Sequence, residues 1–157
     1  IFASLLVIGI LASLFFKRAL WGVLAVVPLT SAVIINFGFM GFFGIELSHI
    51  TAILSSIIIG VGVDFAIHYI SQYRRLSRTI SSEMVSKEVI DDVGYPIVLD
   101  AASNMGFGAL VFSTFVPIQY IGGLMVFAML STSLGTLTIL SAVTELMKHK
   151  LIKGEIS

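Results

Sequence analysis

The 157-residue sequence contains no cysteine, and charged residues make up only 11% of it. The absence of cysteine excludes disulfide bonds and thiolate metal sites. A soluble domain carries about 25% charged residues, so the scarcity of charge excludes that class. The chain is instead 57% hydrophobic, with a mean hydropathy of +1.07. We therefore predict an integral membrane protein.

Basic residues are absent from long apolar stretches, which can cross a hydrocarbon core as helices of about 20 residues, although the first stretch is short, as if clipped at its start. The pattern predicts an all-α membrane protein with five transmembrane helices, at about residues 1–16, 19–45, 48–73, 98–116 and 121–147. The PIQY sequence at residues 117–120 is predicted to form the tight turn between the last two. Because the sequence begins inside an apolar run without a methionine, we expect it to be a fragment of a longer chain.

One side of this predicted bundle lacks basic residues altogether. Five crossings place all nine lysines and arginines at one end, whereas the other end receives Glu46, His49 and Gln119. Because lysine and arginine are enriched in cytoplasmic loops, we expect an N-terminus outside the cell membrane and a C-terminus in the cytoplasm.

Residues 79–95 have an amphipathic pattern that is typical of a short cytoplasmic helix at the membrane interface. We expect Gly94-Tyr95-Pro96 to end this helix, since proline cannot continue the hydrogen-bond ladder. A plain solvated linker is the alternative interpretation. Either assignment places Asp100 near the cytoplasmic end of the fourth span, and Glu145 lies near that of the fifth, where solvent can reach both.

Asp64 interrupts the apolar sequence SSIIIGVGVDFAIHYI in the third span. An ionised carboxylate near the bilayer centre costs about 2.5–3.5 kcal/mol, so the group must be protonated, be paired with a cation, or line a polar cavity. His68 follows one helical turn later on the same face and could relay a proton or favour the ionised carboxylate. A structural aspartate and a packed histidine are the alternatives.

Small and polar residues surround this position. Ser56, Gly60 and Gly62 would let another backbone approach closely, and Ser103 and Asn104 in the fourth span could form hydrogen bonds toward the third. No lysine or arginine lies at the depth of Asp64, so a cationic partner would have to come from outside these residues.

The stretch GVGVDFAIHYISQYRR resembles the Gly-x-Gly-x-Asp-Tyr/Phe-x-x-His signature of the RND superfamily. It is most similar to the MMPL branch of lipid exporters, which is related to the sterol-sensing domains of Patched-like proteins. The flanking stretches VPLTSAVIINFGFMGFFGIELSHITAI and GFGALVFSTFVPIQYIGGLMVFAML are also similar to that family. The resemblance implies most of one transmembrane repeat, either helices two to six or, as the basic tail favours, eight to twelve. Asp64 would then be the proton-relay carboxylate, with Phe65 at a position where many members have tyrosine and Ser103 or Asn104 as a substitute donor.

The resemblance implies a transporter, driven by the proton-motive force, that exports lipids or other hydrophobic compounds. Its partners would be the other half of the same polypeptide, with the remaining helices and extracytoplasmic porter domains, and membrane lipids. We expect no enzyme activity, no cofactor and no nucleic acid. A homo-oligomer and Na⁺ in place of H⁺ as the coupling ion both stay open. A sterol-sensing-like lipid-binding or receptor module, and a SecDF-like translocation accessory, are the alternative functions.

Overall fold

The computed structural model describes residues 2–46, 48–81 and 83–155, and every regular element in those ranges is helical. The elements are α1 (Phe2–Phe15), α2 (Ala19–Phe42), α3 (His49–Leu76), α4 (Val85–Asn104) with a 3-10 extension (Met105–Phe112), α5 (Val116–Gly135) with a π-helical extension (Thr136–Leu140), α6 (Ser141–Leu146) and α7 (Lys148–Glu155).

Within these ranges, four stretches are long and apolar enough to cross a membrane. They are Ala19–Phe42, Thr51–Leu76, Val85–Phe112 and Val116–Leu146, and the apolar α1 is a shorter fifth. The prediction of an all-α membrane protein is therefore confirmed.

Two residues after the end of each of the first two helices, the backbone is left-handed, at Lys17 (φ 56°) and Gly44 (φ 65°). After α2, the Ile45 N–H donates to the Met40 carbonyl at 2.9 Å, which satisfies a carbonyl that the helix end would leave free. The chain reverses at both points, so α1, α2 and α3 alternate in direction.

A capping box begins α3. The Ser48 side chain accepts from the Thr51 N–H at 3.3 Å, and the Thr51 hydroxyl accepts from the Ser48 N–H at 2.8 Å. From this cap α3 runs through the bundle and packs against α1, α2, α4 and α5. α3 therefore contacts each of the other long helices of the bundle.

Several helix ends meet at one end of the bundle. An Arg74 side-chain N–H at the end of α3 donates to the Phe16 carbonyl at 3.2 Å, and Ser86 at the start of α4 donates to Glu145 of α6 at 2.7 Å. Basic residues in or beside these ends are Lys17, Arg18, Arg74, Arg75, Arg78, Lys87, Lys148 and Lys150. The predicted clustering of positive charge is thus present in the fold.

The prediction that Gly94-Tyr95-Pro96 ends a separate interfacial helix is wrong, because α4 continues through Pro96 to Asn104. Proline removes one backbone donor and frees the carbonyl four residues earlier, but a membrane helix tolerates this when its neighbours support it. The apolar side of the predicted segment is also not left at an interface. Val85 and Val89 are fully buried against the same cluster as Tyr69 and Tyr73.

The predicted turn at residues 117–120 is wrong as well. Pro117 lies in the first turn of α5, where its missing N–H would have no helical partner in any case. The chain reverses instead at residues 113–115, where the Phe115 N–H donates to the Ser113 hydroxyl at 3.2 Å. A side-chain amide N–H of Gln119 then donates to the Ser113 carbonyl at 2.7 Å and fixes the turn to α5.

At Gly62, α3 lies close to two neighbouring helices. A methyl group at this position would lie 2.6 Å from a methyl carbon of Thr132 in α5 and 2.8 Å from one of Leu29 in α2. At Gly60 the same addition meets nothing within 4 Å among the described residues.

We predict that Gly62→Ala destabilises the chain by about 1–3 kcal/mol, since the added methyl group overpacks a three-helix contact. Gly60→Ala is the matched control and should not lower stability. The measurement is unfolding of the 157-residue chain in detergent, followed by circular dichroism. Equal stability of the two variants would mean that this helix contact is wrong.

Candidate functional site

Asp64 lies at the centre of its membrane span, thirteen residues after Thr51 and twelve before Leu76. Its side chain is exposed, and further exposed positions follow along the same helix face in steps of three or four residues. We call this surface the α3 outer face; it comprises Ile53, Ser56, Ile57, Gly60, Asp64, His68, Ser71 and Arg75. A carboxylate is therefore placed at mid-depth on a surface that no other described helix covers.

His68 lies one turn from Asp64 on the α3 outer face, as the sequence predicted. Neither side chain forms a hydrogen bond or ion pair with any residue that the structure describes. Both groups are therefore available to an external partner, water or a proton. The relay role of this pair stays a prediction.

The small residues divide between two sides of α3. Gly62 lies inside the bundle against α2 and α5, whereas Ser56 and Gly60 lie on the α3 outer face. Because Gly60 leaves open space, the surface beside Asp64 is shallow, and a further helix could approach its backbone closely. Of these three residues, only Gly62 packs against other described helices.

Phe65 lies on a different side of α3 from Asp64. It is fully buried in an apolar cluster with Ile97 and Ala101 of α4 and Leu124 of α5. The phenyl ring therefore anchors α3 to α4 and α5, and its predicted support of a relay stays untested.

The polar pair in the fourth span is split. Ser103 is exposed, whereas the Asn104 amide donates to the Asp100 carbonyl at 3.0 Å and to the Asp100 carboxylate at 3.2 Å. Asn104 thus holds a carboxylate on its own helix.

Asp100 does not lie near the end of its span, as the sequence had led us to expect. Since α4 begins at Val85, Asp100 is fifteen residues after that start and twelve before Phe112, the end of the 3-10 extension. It is a second exposed carboxylate at mid-depth. Sequence reasoning missed it because Pro96 was interpreted as the end of a helix.

A second polar cluster lies at the basic end, away from Asp64. The Tyr69 hydroxyl is hydrogen-bonded to Thr144 at 3.1 Å, and Glu145 is bound by both Ser86 and Lys148. These contacts join α3, α4 and α6. They hold the basic end of α3 in a fixed position relative to α4 and α6, and α3 runs from that end to Asp64.

Among the described residues, no group of three or more histidine, cysteine, aspartate or glutamate side chains is arranged to hold a metal ion. The site consists of carboxylates, a histidine and small residues on a membrane-spanning surface. Such a surface can bind protons or pack against another helix.

Comparison with known proteins connects this site to a family. Residues 15–147 match the family model of the sterol-sensing domain of SREBP cleavage-activation. A membrane protein of Methanocaldococcus jannaschii is 33% identical over an alignment of 109 residues, and the match covers 66% of this chain. The chain spans 28% of that relative's length. No solved structure matches the chain significantly.

The family match includes α2 to α6 and therefore both mid-depth carboxylates, Asp64 and Asp100. It covers well over half of the sequence, and the helical fold agrees with it. The chain belongs to the sterol-sensing domain family of membrane proteins.

Proposed function

We propose that this chain forms part of the proton-translocating membrane domain of an RND-type transporter of the MMPL branch. The transporter exports lipids or other hydrophobic compounds and is driven by the proton-motive force. Asp64 binds the transported proton, and His68 lies between Asp64 and the basic end as a relay group. The domain requires no cofactor beyond its coupling ion, with Na⁺ as the alternative to H⁺.

The position of Asp64 is the observation that carries this proposal. An intramembrane ionisable residue is a functional hypothesis by default, because exposure to lipid at mid-depth costs several kcal/mol. Asp64 has no cationic partner among the described residues. The sequence also places no lysine or arginine at the membrane depth of Asp64. Taking up a proton removes this cost, and giving one up restores the charge, so protonation can drive a change in helix packing.

The α3 outer face is covered by protein in the working transporter, according to this proposal. Gly60 and Ser56 beside Asp64 suit close contact with another helix. The covering helices belong to the other half of the same polypeptide, which also supplies the extracytoplasmic porter domains, while other apolar surfaces contact membrane lipids. Assembly into a homo-oligomer is compatible with the same surface.

The clustered basic residues support an orientation in the cell membrane in which the basic end of the bundle faces the cytoplasm and the N-terminus lies outside. Protons entering the cell would then move from the side of Glu46 and His49 toward the side of Arg74 and Arg75. Each elementary charge that crosses gains about 2.3 kcal/mol per 100 mV. A few protons per cycle suffice for a modest concentration gradient.

A sterol- or lipid-binding sensor is the second candidate, and the family match favours it, since the matching family is named for sterol sensing. In that function the helices would bind a lipid without moving protons, and Asp64 would have a structural role. The two candidates make opposite predictions for a carboxylate that cannot titrate.

We predict that Asp64→Asn abolishes proton flux, because the amide keeps the size and polarity of the side chain but cannot bind and release a proton. The full-length protein is reconstituted into vesicles loaded with the pH-sensitive dye pyranine and made from the polar lipids of the expression host. A pH gradient is then imposed together with a membrane potential. Wild-type vesicles should acidify, and Asp64→Asn vesicles should match protein-free ones.

The matched control is Asp91→Asn, which removes an exposed carboxylate near the basic end of α4 and should retain wild-type flux. If wild type and Asp64→Asn give the same flux, Asp64 is not the proton carrier. If wild type shows no flux but both proteins bind the fluorescent sterol dehydroergosterol equally, the sensor function replaces the transporter.

We predict that protein, and not lipid, covers the α3 outer face in the full-length protein. These 157 residues contain no cysteine, so once any cysteine elsewhere in the full-length protein is replaced, single cysteines can be added at Ile57, on this face, and at Leu134, an exposed position on α5. In the full-length protein a spin label at residue 57 should be immobile and protected from oxygen. A label at residue 134 should be mobile and accessible to oxygen, which dissolves in lipid. High oxygen accessibility at residue 57 would show that lipid, and not protein, covers Asp64.

A further inference from the structure

We propose that Asp100 is a second proton-binding residue of the same membrane site, held in place by Asn104. This inference rests on the proposed function, since it adds a carrier to the proton path that begins with Asp64. It depends on the course of α4, whose continuation through Pro96 moves Asp100 from the expected end of a span to its centre.

The two carboxylates lie at matched depths. Antiparallel neighbours α3 and α4 are joined where the Gln72 amide donates to the Asp92 carboxylate. Asp64 lies eight residues before Gln72, and Asp100 lies eight residues after Asp92. At 1.5 Å per residue, each carboxylate is about 12 Å from this contact along its own helix, toward the same end of the bundle.

Polar positions continue from the contact along one ridge of each helix. On α3 the ridge runs from Gln72 through His68 to Asp64 in steps of four residues, and on α4 it runs from Asp92 through Pro96 to Asp100. Residues four apart are neighbours on a helix surface. Because Pro96 has no N–H, the Asp92 carbonyl at the start of the α4 ridge lacks its usual helical donor.

The hydrogen bond from Asn104 engages one oxygen of the Asp100 carboxylate and leaves the other oxygen without this contact. The amide donates to one carboxylate oxygen at 3.2 Å, so the other oxygen stays free to hold a proton. This amide is neutral, and no ion pair links Asp100 to any lysine or arginine that the structure describes. Within the described chain, Asp100 and Asp64 therefore share one condition, because each lies at mid-depth without a cationic partner and an ionised form would carry the cost of an unpaired charge.

The substitution Asp100→Asn separates this role from a structural one. The new side chain keeps a carbonyl oxygen that accepts from Asn104 but cannot titrate. In the full-length protein reconstituted with pyranine, we expect Asp100→Asn to lower proton flux about a hundredfold or more, the usual size of a lost proton-transfer group. Asp100→Glu should retain most of the flux, and Asp91→Asn should match wild type.

Labelling of the wild-type protein gives a second measurement that does not depend on the folding of a variant. Dicyclohexylcarbodiimide partitions into membranes and reacts with protonated carboxyl groups, so mass spectrometry of the digested protein should find adducts on Asp64 and Asp100 but not on Asp91. An unlabelled Asp100 would overturn the inference.

The outcomes separate the two proposals. Loss of flux in Asp64→Asn with wild-type flux in Asp100→Asn overturns the role of Asp100 and leaves the proposed function intact. Absence of flux in the wild-type protein overturns the proposed function and the inference with it. Loss of flux in both variants, with both carboxyls labelled, supports the pair.

Discussion

The high cost of leaving a carboxylate in contact with lipid is the constraint that governs this structure. Asp64 is exposed at the centre of α3, and hydrocarbon cannot solvate its charge. The surface around it must therefore meet protein or water, and the carboxyl must be neutral wherever it meets neither. Beside Asp64 the same face carries Gly60, where an added methyl group would meet no described atom, so a further helix has room to approach closely.

The rest of the bundle serves to hold α3 in place. Gly62 lets α2 and α5 pack tightly on one side, and Phe65 fills the apolar cluster shared with α4 and α5. At the basic end, Arg74 and Tyr69 fix α3 to the ends of α1 and α6 through hydrogen bonds. A helix anchored on these sides can present its remaining face at a defined depth. That placement is what a proton-binding group needs in order to be reached from the two sides of a membrane in turn.

The sequence was sufficient for the features set by composition and local chemistry. Apolar length predicted the helical membrane fold, and the polar interruption identified Asp64. The failures came from the two prolines that follow the third span. Pro96 was assigned to a helix end although a membrane helix tolerates it, and Pro117 was assigned to a turn although it begins α5. Tertiary support decides such cases, and the first of them concealed the depth of Asp100.

The central claim is that Asp64 carries a proton within the membrane, and infrared difference spectroscopy tests it most directly. A protonated carboxyl has a carbonyl stretching band that an ionised one lacks. Spectra of the full-length protein in vesicles would be compared between acid and alkaline pH, for wild type and Asp64→Asn. We predict a band that disappears at alkaline pH in the wild type and is missing from the variant. Identical difference spectra for the two proteins would contradict the account.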